Sequence, residues 1–226
     1  MVQHSAPDMA LSAPEFSMPE IQQALVREAY QNASVILEYG SGGSTALAAS
    51  LPDKFIISVE NDPKWAANMV SYFQRSKPPS MPIVHVVNIG EVGRWGRPRT
   101  AEKYRDFPDY PLNVWDQEFF RQPDVVLIDG RARIGCLMAT MLRTRKNVTV
   151  LFDDYKSRTA YHEIERVVEP DRIVGEMAVF NLAPRQLDPE QLTLIARSFV
   201  SVDVKYRIKK SRWKRALQIL LSGSDD

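Results

Sequence analysis

The segment Val35 to Thr45, V-I-L-E-Y-G-S-G-G-S-T, restricts what this chain can fold into more than any other stretch. An apolar run ends in an acid and a tyrosine, and a glycine-rich turn opens directly into small residues suited to a helix. Closely spaced glycines permit a turn too tight for side chains. Backbone N–H groups and the positive end of the following helix are thereby brought up to a ligand. A second apolar run, F-I-I-S-V-E, closes on Glu60, and an acid at the end of the next strand can take both hydroxyls of a ribose. Strand, glycine turn, helix, strand and acid together make a nucleoside-site arrangement.

The rest of the chain keeps the same rhythm. Short apolar runs at Val35–Leu37, Phe55–Val59, Ile83–Val87, Val125–Ile128 and Val148–Phe152 read as strands. Helical patterns fit between them at Ser44–Ser50, Pro63–Arg75 and Arg131–Arg143, with another at Ser157–Val168. A further helix precedes them from Pro19, with Ile21, Leu25, Val26 and Ala29 on one face. Continuous apolar strands separated by helices predict an α/β, Rossmann-like, doubly wound and mostly parallel sheet with helices on both faces. Ile173–Leu182 supplies one or two more strands, interrupted by Gly175. Asp188 and Pro189 form a helix start, as N-cap and first helical residue, and an alternating strand pattern follows over 202–208.

One stretch breaks the rhythm. Gly90 to Arg121 is too long for an ordinary connection, yet carries Trp95, Tyr104, Phe107, Tyr110, Trp115, Phe119 and Phe120. Such aromatic density needs something to pack against, and long loops are usually functional, so the stretch reads as a lid or wall over the site. The plainer alternative is an extension of the core.

A chain of 226 residues suits one domain with a proper core, and a net charge of +1 gives no global pull toward nucleic acid or membrane. The single cysteine, Cys136, excludes an internal disulfide framework and suits a reducing compartment. The first residues lack the basic and apolar regions of a signal peptide, and no apolar run is long enough to span a membrane. The expectation is a cytoplasmic protein with a loose, Pro/Ser/Ala-rich arm over 1–17, a binding domain over 18–200 and a basic extension over 201–226.

The turn itself discriminates between nucleosides. A dinucleotide fingerprint wants a third glycine for close helix–strand packing, but Gly40, Gly42 and Gly43 are followed by Ser44 and Thr45. Glu38, two residues before the first glycine, would repel a pyrophosphate and favour a cationic ligand with an amino group. S-adenosylmethionine, with its sulfonium and ammonium groups, satisfies that requirement and NAD does not.

The E-Y-G-S-G-G-S-T turn, the S-V-E-N-D-P segment and the V-V-L-I-D-G strand end resemble successive motifs of class I S-adenosylmethionine-dependent methyltransferases, over about residues 18 to 183. N-I-G-E-V-G-R-W-G-R-P, P-D-V-V-L-I-D-G-R-A-R-I-G-C and L-F-D-D-Y are similar to a bacterial methyltransferase-like group. The resemblance implies that Gly40, Ser41, Gly42, Gly43 and Ser44 admit the methionine part of the cofactor and that Glu38 orients it, directly or through water. It implies that Glu60, with Asn61, holds the ribose. The adenine would meet Asn88, Ile89 and Gly90, with Asn88 standing where many members carry an acid. Asp129 and Gly130 would close the pocket.

Methyl transfer is an in-line displacement, so the protein mainly positions the partners. A hydroxyl acceptor additionally needs a base or a metal. Asp129 ends the fourth strand and Asp153 and Asp154 the fifth, a separation that resembles metal-dependent O-methyltransferases and implies a Mg2+ site, although Asp154 stands where that family has Asn. The alternatives are that these aspartates cap the next helix or pair with Arg131, Arg133 or Arg158. Without metal, Asp129 or Asp154 could act as base or orient Tyr155 or His162. A lone histidine such as His162 is more often an ordinary surface or core residue. Cys136 reads as packing. Arg131 and Arg133 could receive an acidic substrate or pair with the aspartates.

Residues 205–215 are basic around Trp213 and could hold RNA or another anionic polymer, or could be a solvated face. The chain lacks the N/D-P-P-Y/F motif of base methylation. The expected activity is methylation of a small-molecule or glycan-type acceptor, at oxygen. A non-catalytic binding protein and an RNA-directed enzyme are the rivals, and a homodimer is left open.

Overall fold

The computed structural model describes residues 13–200. The basic segment at 205–215, the strand expected over 202–208 and the first part of the arm lie outside the described residues. α1 (Glu20–Asn32) leads into β1 (Val35–Tyr39), α2 (Gly43–Ser50), β2 (Phe55–Glu60), α3 (Pro63–Ser76) and β3 (Ile83–Val86). The long connection contains the short α4 (Asp109–Leu112), and is followed by β4 (Val125–Ile128), α5 (Arg133–Arg143) and β5 (Val148–Phe152). The hairpin β6 (Arg172–Val174) and β7 (Met177–Leu182) and the helix α6 (Pro189–Ser198) complete the described chain.

The seven strands form one sheet in the order β3-β2-β1-β4-β5-β7-β6. β1 to β5 are parallel, while β7 runs antiparallel to both β5 and β6. Alternation along each strand divides the core between two faces. Leu37, Tyr39, Ile57, Val126, Ile128 and Phe152 pack beneath α5, whereas Ile36, Ile56, Leu127 and Leu151 pack beneath α1, α2 and α3. The strand order reverses between β1 and β4, the point at which open α/β sheets take ligands, at the carboxyl ends of their strands. The expected Rossmann-like architecture is present. No helix among the described residues is long and apolar enough to cross a membrane.

Several local expectations shift for physical reasons. α5 begins at Arg133 rather than Arg131, because Ala132 takes the left-handed conformation (φ 46°) and leaves Arg131 in the preceding turn. The helix expected over Ser157–Val168 is a 3-10 segment over Thr159–Arg166. Tyr155 and Lys156 donate their N–H groups to the Glu176 carbonyl at 2.8 and 3.1 Å, which ties the chain after β5 to the β6–β7 hairpin instead of releasing it into a helix. Asp188 caps α6 as the sequence implies, accepting from the Gln191 N–H at 2.7 Å.

The aromatic connection divides into two parts. Phe107, Tyr110 and Trp115 are buried in the core beneath α5. Trp115 Nε1 donates to the Tyr39 hydroxyl, which in turn donates to the Pro111 carbonyl, each at 2.7 Å. That half is core extension. The first half forms a small hairpin, closed by Arg99 N–H to Glu91 O and Gly93 N–H to Arg97 O, both at 2.8 Å, with Trp95 exposed at its tip.

The turns after β1 and β4 touch. A Cβ on Gly130 would lie 2.1 Å from the Tyr110 hydroxyl and 2.8 Å from the Tyr39 carbonyl. Gly130→Ala should therefore destabilise the fold by about 1–3 kcal/mol, as overpacking does, read as a lower urea midpoint with an unchanged slope. A midpoint equal to wild type would mean that the two turns are not in contact.

Candidate functional site

The glycine turn is held from inside the protein. Glu38 on β1 is fully buried. The Tyr30 hydroxyl from α1 donates to its Oε1 at 2.5 Å, and the Thr45 hydroxyl from α2 donates to Oε2. Thr45 Oγ1 accepts from the Gly42 N–H at 2.9 Å, so the carboxylate fixes the turn through one intermediary. Burial outweighs these hydrogen bonds and pushes the Glu38 carboxyl up to about 7. Gly40 has φ +103°, and a Cβ there would lie 2.9 Å from Gly130 N, so this position requires glycine twice over. A Cβ at Gly42, by contrast, meets nothing within 4 Å, so that corner of the turn faces open space.

Glu60 at the end of β2 is nearly buried and its carboxyl is raised by that burial, against the lowering effect of backbone donors. Its Oε1 accepts from the Asn61 and Asp62 N–H groups at 2.7 and 2.8 Å, and its Oε2 from the Ser41 N–H at 3.2 Å. The acid thus links the ends of β1 and β2 and retains acceptor capacity on Oε2. Ser41 is further fixed by Ser58 at 2.7 Å and by the Trp65 indole, which donates to its carbonyl at 2.7 Å. Asn61 donates to the Gly96 carbonyl at 2.7 Å and clamps the small hairpin to β2. Beyond β3, Asn88 is exposed and its Oδ1 accepts from the Gly90 N–H at 3.0 Å, while Ile89 is fully buried.

The arm expected to be loose through residue 17 is engaged at its end. Gln23 Nε2 donates to the Phe16 and Met18 carbonyls at 2.9 and 2.7 Å. The backbone of Glu15 and Phe16 crosses so close to Gly43 that a Cβ there would lie 2.4 Å from Phe16 N. The missing side chain at Gly43 thus makes room for the protein's own arm.

Across the crevice, Asp129, Asp153 and Asp154 converge, with one oxygen of each within 4.8 Å of the others. The buried Arg133 guanidinium stands among them. It lies 2.8 Å from Asp129 Oδ1, 3.5 Å from Asp153 Oδ2 and 3.2 Å from Asp154 Oδ2. Its remaining donors reach the carbonyls of Asp129, Gly130 and Asp153 at 3.1, 3.2 and 2.6 Å, which ties the end of β4 to the end of β5. Arg158 completes the cluster at 2.6 Å from Asp154. The expected magnesium site is therefore not a fit: a guanidinium already fills the focus that a cation needs, and it satisfies the same oxygens. Asp129 remains partly open to the crevice. Burial and the nearby Asp153 and Asp154 outweigh Arg133 and push its carboxyl up to about 7.

No protein-family model and no curated protein matches the sequence. Among solved structures, a methyltransferase-like protein from Silicibacter pomeroyi DSS-3 is 43% identical, over 84% of this chain and 98% of that one, with a TM-score of 0.79. The chain belongs to the family of that methyltransferase-like protein, and its sheet has the class I methyltransferase fold. Two more distant structures share the fold. One is the O-methyltransferase TomG from Streptomyces achromogenes in complex with SAM, at 17% identity over 76% of this chain and 83% of that one, TM-score 0.52. The other is a SAM-dependent O-methyltransferase from Thermotoga maritima, at 8% identity over 80% and 71%, TM-score 0.51.

Within this methyltransferase-like chain, Gly40 to Ser44, Glu60, Asn61, Asp129 and Gly130 surround the crevice at the ends of β1, β2 and β4. Glu38 supports them from behind, with no exposed surface. Two candidates fall away. Tyr155 is fully buried and its hydroxyl donates to Glu165 at 2.8 Å, so it does not reach the aspartates. His162 stacks on Tyr155 at 4.9 Å with Nε2 3.2 Å from the Tyr155 carbonyl. The sequence puts His162 on a helix that the chain does not form, whereas Tyr155 is a candidate for its place next to Asp154. Asp154 is taken up by two arginines, which leaves Asp129 as the available acid. Cys136 is buried packing, as expected. Sequence reading missed Trp65, Thr45, Tyr30 and Arg97, since nothing local marks a residue that acts across elements.

Glu38 gives a pH test of this architecture. Its carboxyl titrates near 4.5 ordinarily and near 7 in the fold, so between those values the native state holds the extra proton. Its contribution to stability is full below the lower value and lost as pH rises through the upper one. Glu38→Gln should gain about 2 kcal/mol relative to wild type between pH 5 and pH 8, measured by urea unfolding at each pH. A difference that stays constant over that range would contradict a raised Glu38.

Proposed function

We propose that this chain transfers a methyl group from S-adenosylmethionine to an oxygen of a small-molecule or glycan-type acceptor, without a metal. The observation that carries this reading is the placement of a nucleoside cradle and a partly open acid, Asp129, on one edge of the sheet. The cradle suits the cofactor: Gly42 faces open space, Glu60 keeps acceptor capacity for a ribose hydroxyl, and Asn88 Oδ1 has a second lone pair for an adenine amino group.

The cofactor, when bound, supplies an electrophilic methyl on a sulfonium. The protein has to align a hydroxyl with it and remove the proton. Asp129 is suited to the second task, because a carboxyl raised toward neutrality accepts a proton more readily than an ordinary one. Arg133 holds Asp129 in place through both its side chain and its carbonyl. That guanidinium supplies, as a fixed charge of the protein, the positive potential that a metal supplies elsewhere.

Calorimetry should show S-adenosylmethionine binding and no comparable binding of NAD, and tighter NAD binding would refute the assignment. Glu60→Ala should weaken S-adenosylmethionine binding roughly 10- to 100-fold, the loss expected for charge-assisted hydrogen bonds. For the metal, millimolar magnesium or EDTA at constant ionic strength should leave the melting temperature unmoved. A saturable stabilisation by magnesium would restore the metal site.

A further inference from the structure

Two arginines near the ends of β2 and β4 have no counter-charge among the described residues. Arg97 sits at the base of the small hairpin, one residue past the Gly96 carbonyl that Asn61 holds. Its Nε is buried without a hydrogen-bond partner, and among the described residues its guanidinium forms no ion pair. Arg131 follows Gly130, its backbone N–H donating to the Tyr110 hydroxyl at 3.3 Å. Its guanidinium too has no hydrogen bond or ion pair among the described residues, although the neighbouring Arg133 and Arg158 are fully engaged with aspartates. Arg131 is held below the ordinary guanidinium range by burial, then by repulsion from Arg133 and Arg97, so the two unpaired cations lie within electrostatic reach of each other. The phenols of Tyr110 and Tyr161 are the other groups that Arg131 senses.

Burying the unpaired Arg97 Nε and bringing like charges together both cost stability. Neither arginine is left so by chance of exposure, because rigid backbone anchors place both: the Asn61–Gly96 clamp at the end of β2 and the Gly130 turn at the end of β4. Those backbone anchors stand at the ends of β2 and β4, the two neighbours of β1 in the sheet. Guanidinium forks match the planar oxygens of a carboxylate and the oxygens of a phosphate.

We propose that Arg97 and Arg131 together receive an oxyanion, a carboxylate or phosphate, borne by the methyl acceptor, so that the acceptor is an anionic molecule anchored beside Asp129. The anchor explains how an acidic site can hold such a substrate: Arg133 neutralises the aspartates, and the arginine pair binds the charge. This rests on the methyltransferase reading, and the test separates the two.

The test titrates inorganic phosphate and benzoate, at constant ionic strength, into the full chain saturated with S-adenosylhomocysteine. Arg97→Gln and Arg131→Gln should each weaken the binding of at least one probe tenfold or more, leave S-adenosylhomocysteine affinity within twofold, and melt at or above the wild-type temperature. A tenfold loss of S-adenosylhomocysteine affinity instead would assign the arginines to the cofactor's own carboxylate and overturn the proposal. So would probes that bind neither wild type nor variant, or both equally, and a lowered melting temperature in both variants would make the role structural. If S-adenosylhomocysteine fails to bind wild type, the methyltransferase reading falls, and the same titration of the free protein still decides the anion site.

Discussion

A buried carboxylate organises the cofactor end of this protein. Glu38 lies at the middle of the sheet with no access to water, where an unpaired charge would not be tolerated. Two hydroxyls, Tyr30 from α1 and Thr45 from α2, complete it. Those bonds lock the first two helices to the central strand, and Thr45 passes the constraint to the Gly42 N–H. The glycine turn is therefore held by its neighbours and by the Ser41–Ser58 hydroxyl pair, while its corner at Gly42 faces open space. Glu60 does the equivalent work from the next strand, using three backbone N–H groups.

Arg133 plays the matching part at the other half of the crevice. Its guanidinium bonds the carbonyls at the ends of β4 and β5 and faces three aspartates. Such a charge cluster gives conformational definition more than net stability, because desolvation offsets much of the attraction. Its chemical consequence is larger. The guanidinium occupies the point on which the three carboxylates converge, which is where a metal ion would have to stand.

Much of this was legible in the sequence because the signals are local. The V-I-L-E-Y-G-S-G-G-S-T turn, the apolar runs and the Asp188-Pro189 cap each report on neighbouring residues, and all appear where the pattern places them. What failed was non-local. The helix after β5 is replaced by a 3-10 segment because the Glu176 carbonyl, in the β6–β7 hairpin, captures two N–H groups, and His162 left the site with that helix, while Tyr155 turns inward to Glu165. Asp129, Asp153 and Asp154 were correctly brought together. Whether a metal or Arg133 would sit among them depended on the left-handed Ala132, which sets where α5 begins. The aromatic run reads as a lid or wall with core extension as the alternative, and Phe107, Tyr110 and Trp115 take the second course.

The same distinction separates the two ends of the site. Glu38, Glu60 and Asn61 have partners within the protein before any ligand arrives, and so preorganise the glycine turn and the end of β2. Arg97 and Arg131 are unsatisfied, and their positions are set by neighbours rather than by their own bonds. A fold can carry such frustration only where binding relieves it. An acceptor that supplies the missing negative charge would also bring the hairpin of Arg97 and the turn of Arg131 under a common constraint, closing the crevice over Asp129. Charge relief and exclusion of water would then be one event, which couples recognition of the acceptor to activation of its hydroxyl.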